Sequence, residues 1–67
     1  MNVEIIYRPR FDTTTGRWHA WVMTDRDAHK PLRARRLVWW PVSEASVVKW
    51  YAGDRHVRFP NPRFLRG

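Results

Sequence analysis

Apolar and polar residues alternate near the start of the chain, and this alternation predicts a β-strand. Val3, Ile5 and Tyr7 share one face of that strand. Residues 11–16 have turn chemistry, and residues 17–23 follow with a second run of strong β-formers. The two strands are therefore predicted to form an antiparallel hairpin.

A third strand is predicted over residues 33–40, where apolar and basic residues alternate, and Pro41 ends it because proline has no N–H to donate to a neighbouring strand. Successive side chains of an extended strand point to opposite faces. Arg33 and Arg35 would then share one face, with Arg36 on the other.

Residues 43–53 carry the signals of one short helix. Ser43 is a suitable N-cap, Glu44 places negative charge in the first turn, and Gly53 stands where the helix would end. Residues 47–51 are mostly β-branched or aromatic, however, and such residues are weak helix formers. A fifth strand in place of the helix is the alternative.

The length of 67 residues allows one small domain. We predict an α+β fold over residues 1–59, with a three- or four-stranded antiparallel sheet and one short helix. The alternative is an all-β small barrel of five strands. Residues 60–67 are predicted to form an extended basic C-terminal arm, since residues that precede proline avoid the helical region.

Charge is the strongest functional signal in the sequence. The sequence has thirteen Lys and Arg residues and six Asp and Glu residues, which gives a formal net charge of +7. Eleven of the thirteen are Arg. Neither residues 28–43 nor residues 55–67 contain an acid, so the cations form two basic blocks. Because the planar guanidinium fits phosphate groups and guanine edges, these blocks favour nucleic acid as a partner.

The candidate nucleic-acid-binding residues are seven cations of the two blocks together with one arginine of the second strand. They are Arg17, Lys30, Arg33, Arg35, Arg36, Arg55, Arg58 and Arg63. Two side chains spaced by two on one face of a strand reach successive bases when a ribbon enters the major groove. We therefore expect Arg33→Ala or Arg35→Ala to weaken binding to duplex DNA.

Adjacent tryptophans end the third predicted strand. Trp39 and Trp40 must lie on opposite faces of a strand, so only one of them can point into the core from that strand. A domain this small would otherwise bury every large apolar residue to stabilise its fold. One of the two is therefore a candidate for stacking on a base or for contact with a protein partner.

The sequence offers little for catalysis. It contains no cysteine, its three histidines are far apart, and its three glycines form no phosphate-binding loop. The longest uncharged run, Leu37 to Ser43, is much shorter than a membrane span. We expect a non-enzymatic cytoplasmic protein with no cofactor, no metal site and no membrane partner.

Short motifs resemble a known family. Gly16-x-Trp18-x-Ala20-x-Val22 in the second strand and Ser43-Glu44-Ala45 at the helix start look like the arm-type DNA-binding domain of phage and transposon tyrosine integrases. The resemblance covers about residues 3–52. It implies a sheet in the major groove, an accessory role in a phage or mobile element, and base or phosphate contacts from Arg17, Arg33, Arg35 and Arg36.

One segment departs from that family. Trp39-Trp40-Pro41-Val42 stands where the family usually has a Gly-Thr-Phe-type turn, which affects the angle between strand and helix.

Two functions follow from the sequence. The first is a small protein that binds nucleic acid, and duplex DNA is the expected form. The sequence does not distinguish DNA from RNA, and it does not give the target sequence or the oligomeric state. The second is an adaptor or inhibitor that binds a larger protein through exposed Trp and Arg, because these residues dominate interaction hot spots. Salt-dependent binding to nucleic acid would distinguish the first from the second.

Overall fold

An antiparallel sheet with one helix packed on it makes up the structure. The computed structural model describes residues 2–60. Its strands are β1 (Asn2–Ile5), β2 (Arg10–Asp12), β3 (Arg17–Thr24), β4 (Val38–Pro41) and β5 (Arg58–Pro60), its helix is α1 (Glu44–Tyr51), and two 3-10 turns lie at Asp25–Asp27 and Leu32–Ala34. The predicted α+β class is confirmed.

Strand β3 is the centre of the sheet. Val22 pairs with Ile5 on one side and with Val38 on the other, so β1 and β4 occupy opposite edges of β3. His19 likewise lies between Arg10 of β2 and Pro41 of β4. Strands β1 and β2 therefore follow one another along the same edge of β3.

A bulge separates β1 from β2. Ile5 is opposite Val22 and Arg10 is opposite His19, so the chain advances five residues on one strand and three on the other. The two extra residues push residues 6–9 out of the regular ladder. One contact across the bulge remains, since the Ile6 N–H donates to the Trp21 carbonyl at 2.9 Å.

The core lies between the sheet and α1. Val3, Ile5, Ala20 and Val22 are fully buried on the sheet face that meets Trp50 of the helix. After α1 the chain returns to the sheet as β5, which pairs with the free edge of β1. None of the helical segments within residues 2–60 has the length and apolar character needed to cross a membrane.

The helix predicted after Ser43 is confirmed over residues 44–51. The Ser43 hydroxyl accepts the N–H of Ser46 at 3.2 Å, and Gly53 follows the helix with a φ of +115°, a conformation that favours glycine. Tertiary packing outweighs the weak helix propensity of this segment, because Val47 and Trp50 share the buried face.

Removing this cap is expected to destabilise the domain. Ser43→Ala leaves the Ser46 N–H without its acceptor, at a cost of about 0.5–2 kcal/mol in the free energy of unfolding. Urea unfolding measures the loss. Ser43→Asp retains an acceptor at the N-cap and should stay close to the wild type; an equal loss in both variants would show that the cap is not the cause.

The third predicted strand is wrong over residues 33–37. Strand β4 begins only at Val38, and Arg33 lies in the turn Leu32–Ala34. The reason is a buried carboxylate that sequence alone did not reveal. Asp27, 1% exposed, accepts the backbone N–H of Arg36 at 2.9 Å, which holds the preceding residues as a loop.

Two further contacts fasten this loop. The Lys30 ammonium lies 3.0 Å from the other carboxylate oxygen of Asp27. The Arg35 guanidinium donates to the backbone carbonyls of Lys30 at 2.8 Å and Ala28 at 3.0 Å. We call residues 27–36 with these contacts the Asp27 clamp. The predicted C-terminal arm falls, apart from Pro60 at the end of β5, on residues outside those described.

Candidate nucleic-acid interface

A cluster of rings lies on the face of β3 that carries His19 and Trp21. Side chains alternate along β3, so Ala20 and Val22 lie on the core face while His19 and Trp21 lie on the other face of the strand. Trp21 is directly opposite Trp39 of β4, which therefore lies on the same face. We call the surface made by His19, Trp21 and Trp39 the aromatic face.

The three rings contact one another in a row. The ring centroids of Trp21 and Trp39 are 5.3 Å apart with a 56° angle between the planes, and those of Trp39 and His19 are 5.6 Å apart at 15°. His19 is buried and its Nδ1 lies 3.1 Å from the Arg17 carbonyl, whereas Trp21 is 42% exposed. Trp21 is thus the end of the row that solvent reaches.

Three arginines border the aromatic face. Arg10 is opposite His19 in the β2–β3 ladder, Arg17 is two residues before His19 on the same strand face, and Arg8 lies in the bulge. All three are exposed, and no carboxylate among residues 2–60 forms an ion pair with their guanidinium groups. Their positive charge is therefore available to a ligand.

A groove of about 530 Å³ joins two of these cations, Arg8 and Arg10, to the rings of Trp21 and Trp39. Its lining comprises residues 6–8 and Arg10 from the bulge side, Trp21 and Trp39 from the sheet, and Trp50 from α1. The bulge forms this groove, because a regular strand in place of residues 6–9 would continue the flat ladder past Trp21.

Two acidic side chains near the aromatic face, Glu4 and Asp12, are engaged elsewhere. Glu4 pairs with Arg58 at 3.0 Å and lies 3.7 Å from the His56 ring. Asp12, which is opposite Arg17, accepts the Thr14 N–H at 2.9 Å in the turn before β3. The described lining of the groove contains no carboxylate, so its charge is positive.

Most of the arginines and lysines that the sequence pointed to lie elsewhere. Lys30 and Arg35 belong to the Asp27 clamp, Arg58 pairs with Glu4, and Arg55 packs 4.7 Å above the Trp50 ring and donates to the Trp50 carbonyl. The prediction that Arg33 and Arg35 share one face of a strand, with Arg36 on the other, is wrong, because all three precede β4. Arg33 and Arg36 are exposed, and Arg63 falls outside the described residues.

Among the predicted cations that lie within residues 2–60, only Arg17 borders the aromatic face. Sequence reasoning missed Arg8 and Arg10, whose one signal was their position on either side of Pro9 at the end of the first strand. It also missed Trp21, although the alternation of the second strand separates Trp21 from Ala20 and Val22.

The adjacent tryptophans divide between the two faces as predicted. Trp39 lies on the aromatic face, while Trp40 is opposite Ala20 and packs against the core. Within residues 2–60, no group of three His, Asp or Glu side chains is arranged to hold a metal ion.

Comparisons of the chain with protein-family models, curated proteins and solved structures find no match. The resemblance to integrase arm-type domains stays a prediction.

Proposed function

We propose that this protein binds nucleic acid through the aromatic face and the arginines beside it, and that it does so without catalysing a reaction. One observation carries the proposal: three exposed guanidinium groups, none with a carboxylate partner among the described residues, border partly exposed indole rings. Arginines bind phosphates, and aromatic rings stack on bases. A nucleic-acid ligand is in keeping with the cytoplasmic location expected from the sequence.

The major-groove ribbon is not carried forward in this proposal. It required Arg33 and Arg35 to be two positions apart on one strand, whereas Arg33 lies in a turn and Arg35 is bonded to loop carbonyls. Binding is instead assigned to the cations of β2, β3 and the bulge.

Binding is expected to weaken steeply as salt is added. Contacts from Arg8, Arg10 and Arg17 to three phosphates correspond to a slope of log affinity against log salt of about −2 to −3. Arg10→Ala or Arg17→Ala should make that slope shallower by about 0.7–0.9. Fluorescence anisotropy with labelled oligonucleotides over a salt series measures both quantities.

Arg33→Ala is the matched control, since it removes the same charge from an exposed position in the Asp27 clamp. An equal effect of Arg33→Ala and Arg10→Ala would move the contact surface away from the aromatic face. If no nucleic acid is bound even at low ionic strength, the proposal fails. A protein partner retained from nuclease-treated lysate would then favour the adaptor or inhibitor function.

A further inference from the structure

We infer that the aromatic face takes unpaired bases, so that the ligand is single-stranded nucleic acid, DNA or RNA, and not a duplex. This inference rests on the proposed function and names its substrate class. Trp21 is the stacking platform: it is 42% exposed, and among residues 2–60 Trp39 is its one aromatic ring neighbour. A base stacks on an accessible aromatic ring, and every base has a π-face that can stack in this way.

Trp39 positions this platform. It contacts both His19 and Trp21, so its own ring is largely committed to neighbours within the protein. Its tilt of 56° against Trp21 places an edge of one indole toward the other, which is a favourable aromatic geometry. Trp21 and Trp39 also belong to paired strands, so the platform is already ordered before a ligand arrives.

The cations lie where the backbone of a stacked nucleotide must pass. Arg8 and Arg10 line the same groove as Trp21, and Arg10 is in register with His19 at the far end of the ring row. A strand with one base on Trp21 therefore has guanidinium groups beside its phosphates. The absence of carboxylates from the described lining makes the groove complementary to a polyanion.

A duplex does not use this surface in the same way. Paired bases are already stacked on one another and present only their edges in the grooves, so an indole face finds no partner unless a base is flipped out. Contacts to base edges in a groove need hydrogen-bonding side chains that project from a ribbon or a helix. The aromatic face presents ring surfaces in place of such side chains. Stacking on Trp21 selects unpaired nucleotides.

The test uses labelled 12-nucleotide strands, dT12 and rU12, and a DNA hairpin of matched charge; this length lies within the roughly 4–16 nucleotides that such sites cover. Anisotropy at low salt gives the dissociation constant for each probe. Trp21→Leu keeps apolar bulk but removes the stacking ring, and it should weaken binding to dT12 and rU12 by about 5- to 150-fold. Trp21→Phe retains a ring and should recover most of the affinity.

Val48→Ala is the control for the substitution itself, because Val48 is 67% exposed on α1 and away from the aromatic face. Thermal unfolding of each variant separates lost stacking from lost folding, and Trp21→Phe provides a folded comparison if Trp21→Leu is unstable. Quenching of tryptophan fluorescence by dT12 gives a second readout, which should be smaller in Trp21→Phe than in the wild type.

The outcomes separate the two proposals. Preference for the strands over the hairpin, with the expected loss in Trp21→Leu, supports the inference; preference between dT12 and rU12 then identifies DNA or RNA. Tighter binding to the hairpin, or equal affinity of Trp21→Leu and wild type for the strands, overturns the inference and leaves nucleic-acid binding intact. Failure to bind any probe overturns the proposed function, and the inference with it.

Discussion

Replacing Ile5 by alanine is expected to remove about 2–5 kcal/mol from the free energy of unfolding. Ile5 is fully buried, is in register with Val22, and donates its N–H to the Val57 carbonyl at 3.0 Å. A cavity there opens at the contact between β1, β3 and the segment before β5. Because a domain of 67 residues has roughly 3–10 kcal/mol of stability in total, the variant should be largely unfolded under mild denaturant.

Urea unfolding followed by circular dichroism measures this effect. Ile5→Val should lose only about 0.5–1.5 kcal/mol, since it removes one methyl group. Val48→Ala removes apolar bulk from an exposed position and should stay within about 0.5 kcal/mol of the wild type. If Ile5→Ala is no worse than Val48→Ala, the core is not centred on β1 and β3 as described.

The second large effect is expected at the Asp27 clamp. Asp27→Asn keeps one oxygen for the Arg36 N–H, but the new amide NH2 then faces the Lys30 ammonium where a carboxylate oxygen stood. Two donor groups opposite one another in a buried site are unfavourable. We expect the melting temperature to fall by several degrees, with residues 28–37 becoming more susceptible to proteolysis.

The effect should depend on pH in a defined direction. The backbone N–H of Arg36, helped by the Lys30 ammonium, lowers the pKa of Asp27 below its usual value of 3.8. A carboxyl group whose pKa is lower in the folded state stabilises that state above the unfolded pKa. This contribution is lost as pH falls through the lower pKa of the folded state, so the difference between wild type and Asp27→Asn should shrink below about pH 3.8.

Asp25→Asn is the matched control for Asp27→Asn. It removes the same charge two residues away, from an exposed carboxylate that accepts the Asn2 N–H at 3.0 and 3.1 Å. Thermal unfolding at pH 7, 5 and 3 compares the two variants. Equal losses at pH 7, or a difference from wild type that does not narrow in acid, would contradict the role assigned to Asp27.

Local signals predicted several elements because each acts over a few residues. The alternation in residues 17–23 predicted β3, and the cap at Ser43 with Gly53 at the far end predicted α1. The third strand was predicted too long, because the alternation of residues 33–37 also suits an exposed loop. Only the burial of Asp27, with its bond to Arg36, decides between these structures.

The candidate site was harder to predict than the fold. Sequence shows that Trp39 and Trp40 point to opposite faces, but the face that α1 covers depends on how the chain crosses the sheet. The contact between Trp21 and Trp39 depends on the register of β3 with β4, and the position of Arg10 depends on the bulge. Registers and bulges are set by packing across the sheet, which local patterns do not encode.

Sequence alone determined the charge of this protein and the division of the adjacent tryptophans between two faces, and it favoured the α+β class with a helix after Ser43. These properties follow from composition and from periodicity within single elements. Only the tertiary structure decided which arginines stay available for a ligand. Arg35, Arg55 and Arg58 bind groups that lie at least five residues away in the sequence, at spacings that no local pattern predicts. Whether a guanidinium group is bound within the protein depends on the groups next to it in space, and these are set by the tertiary fold.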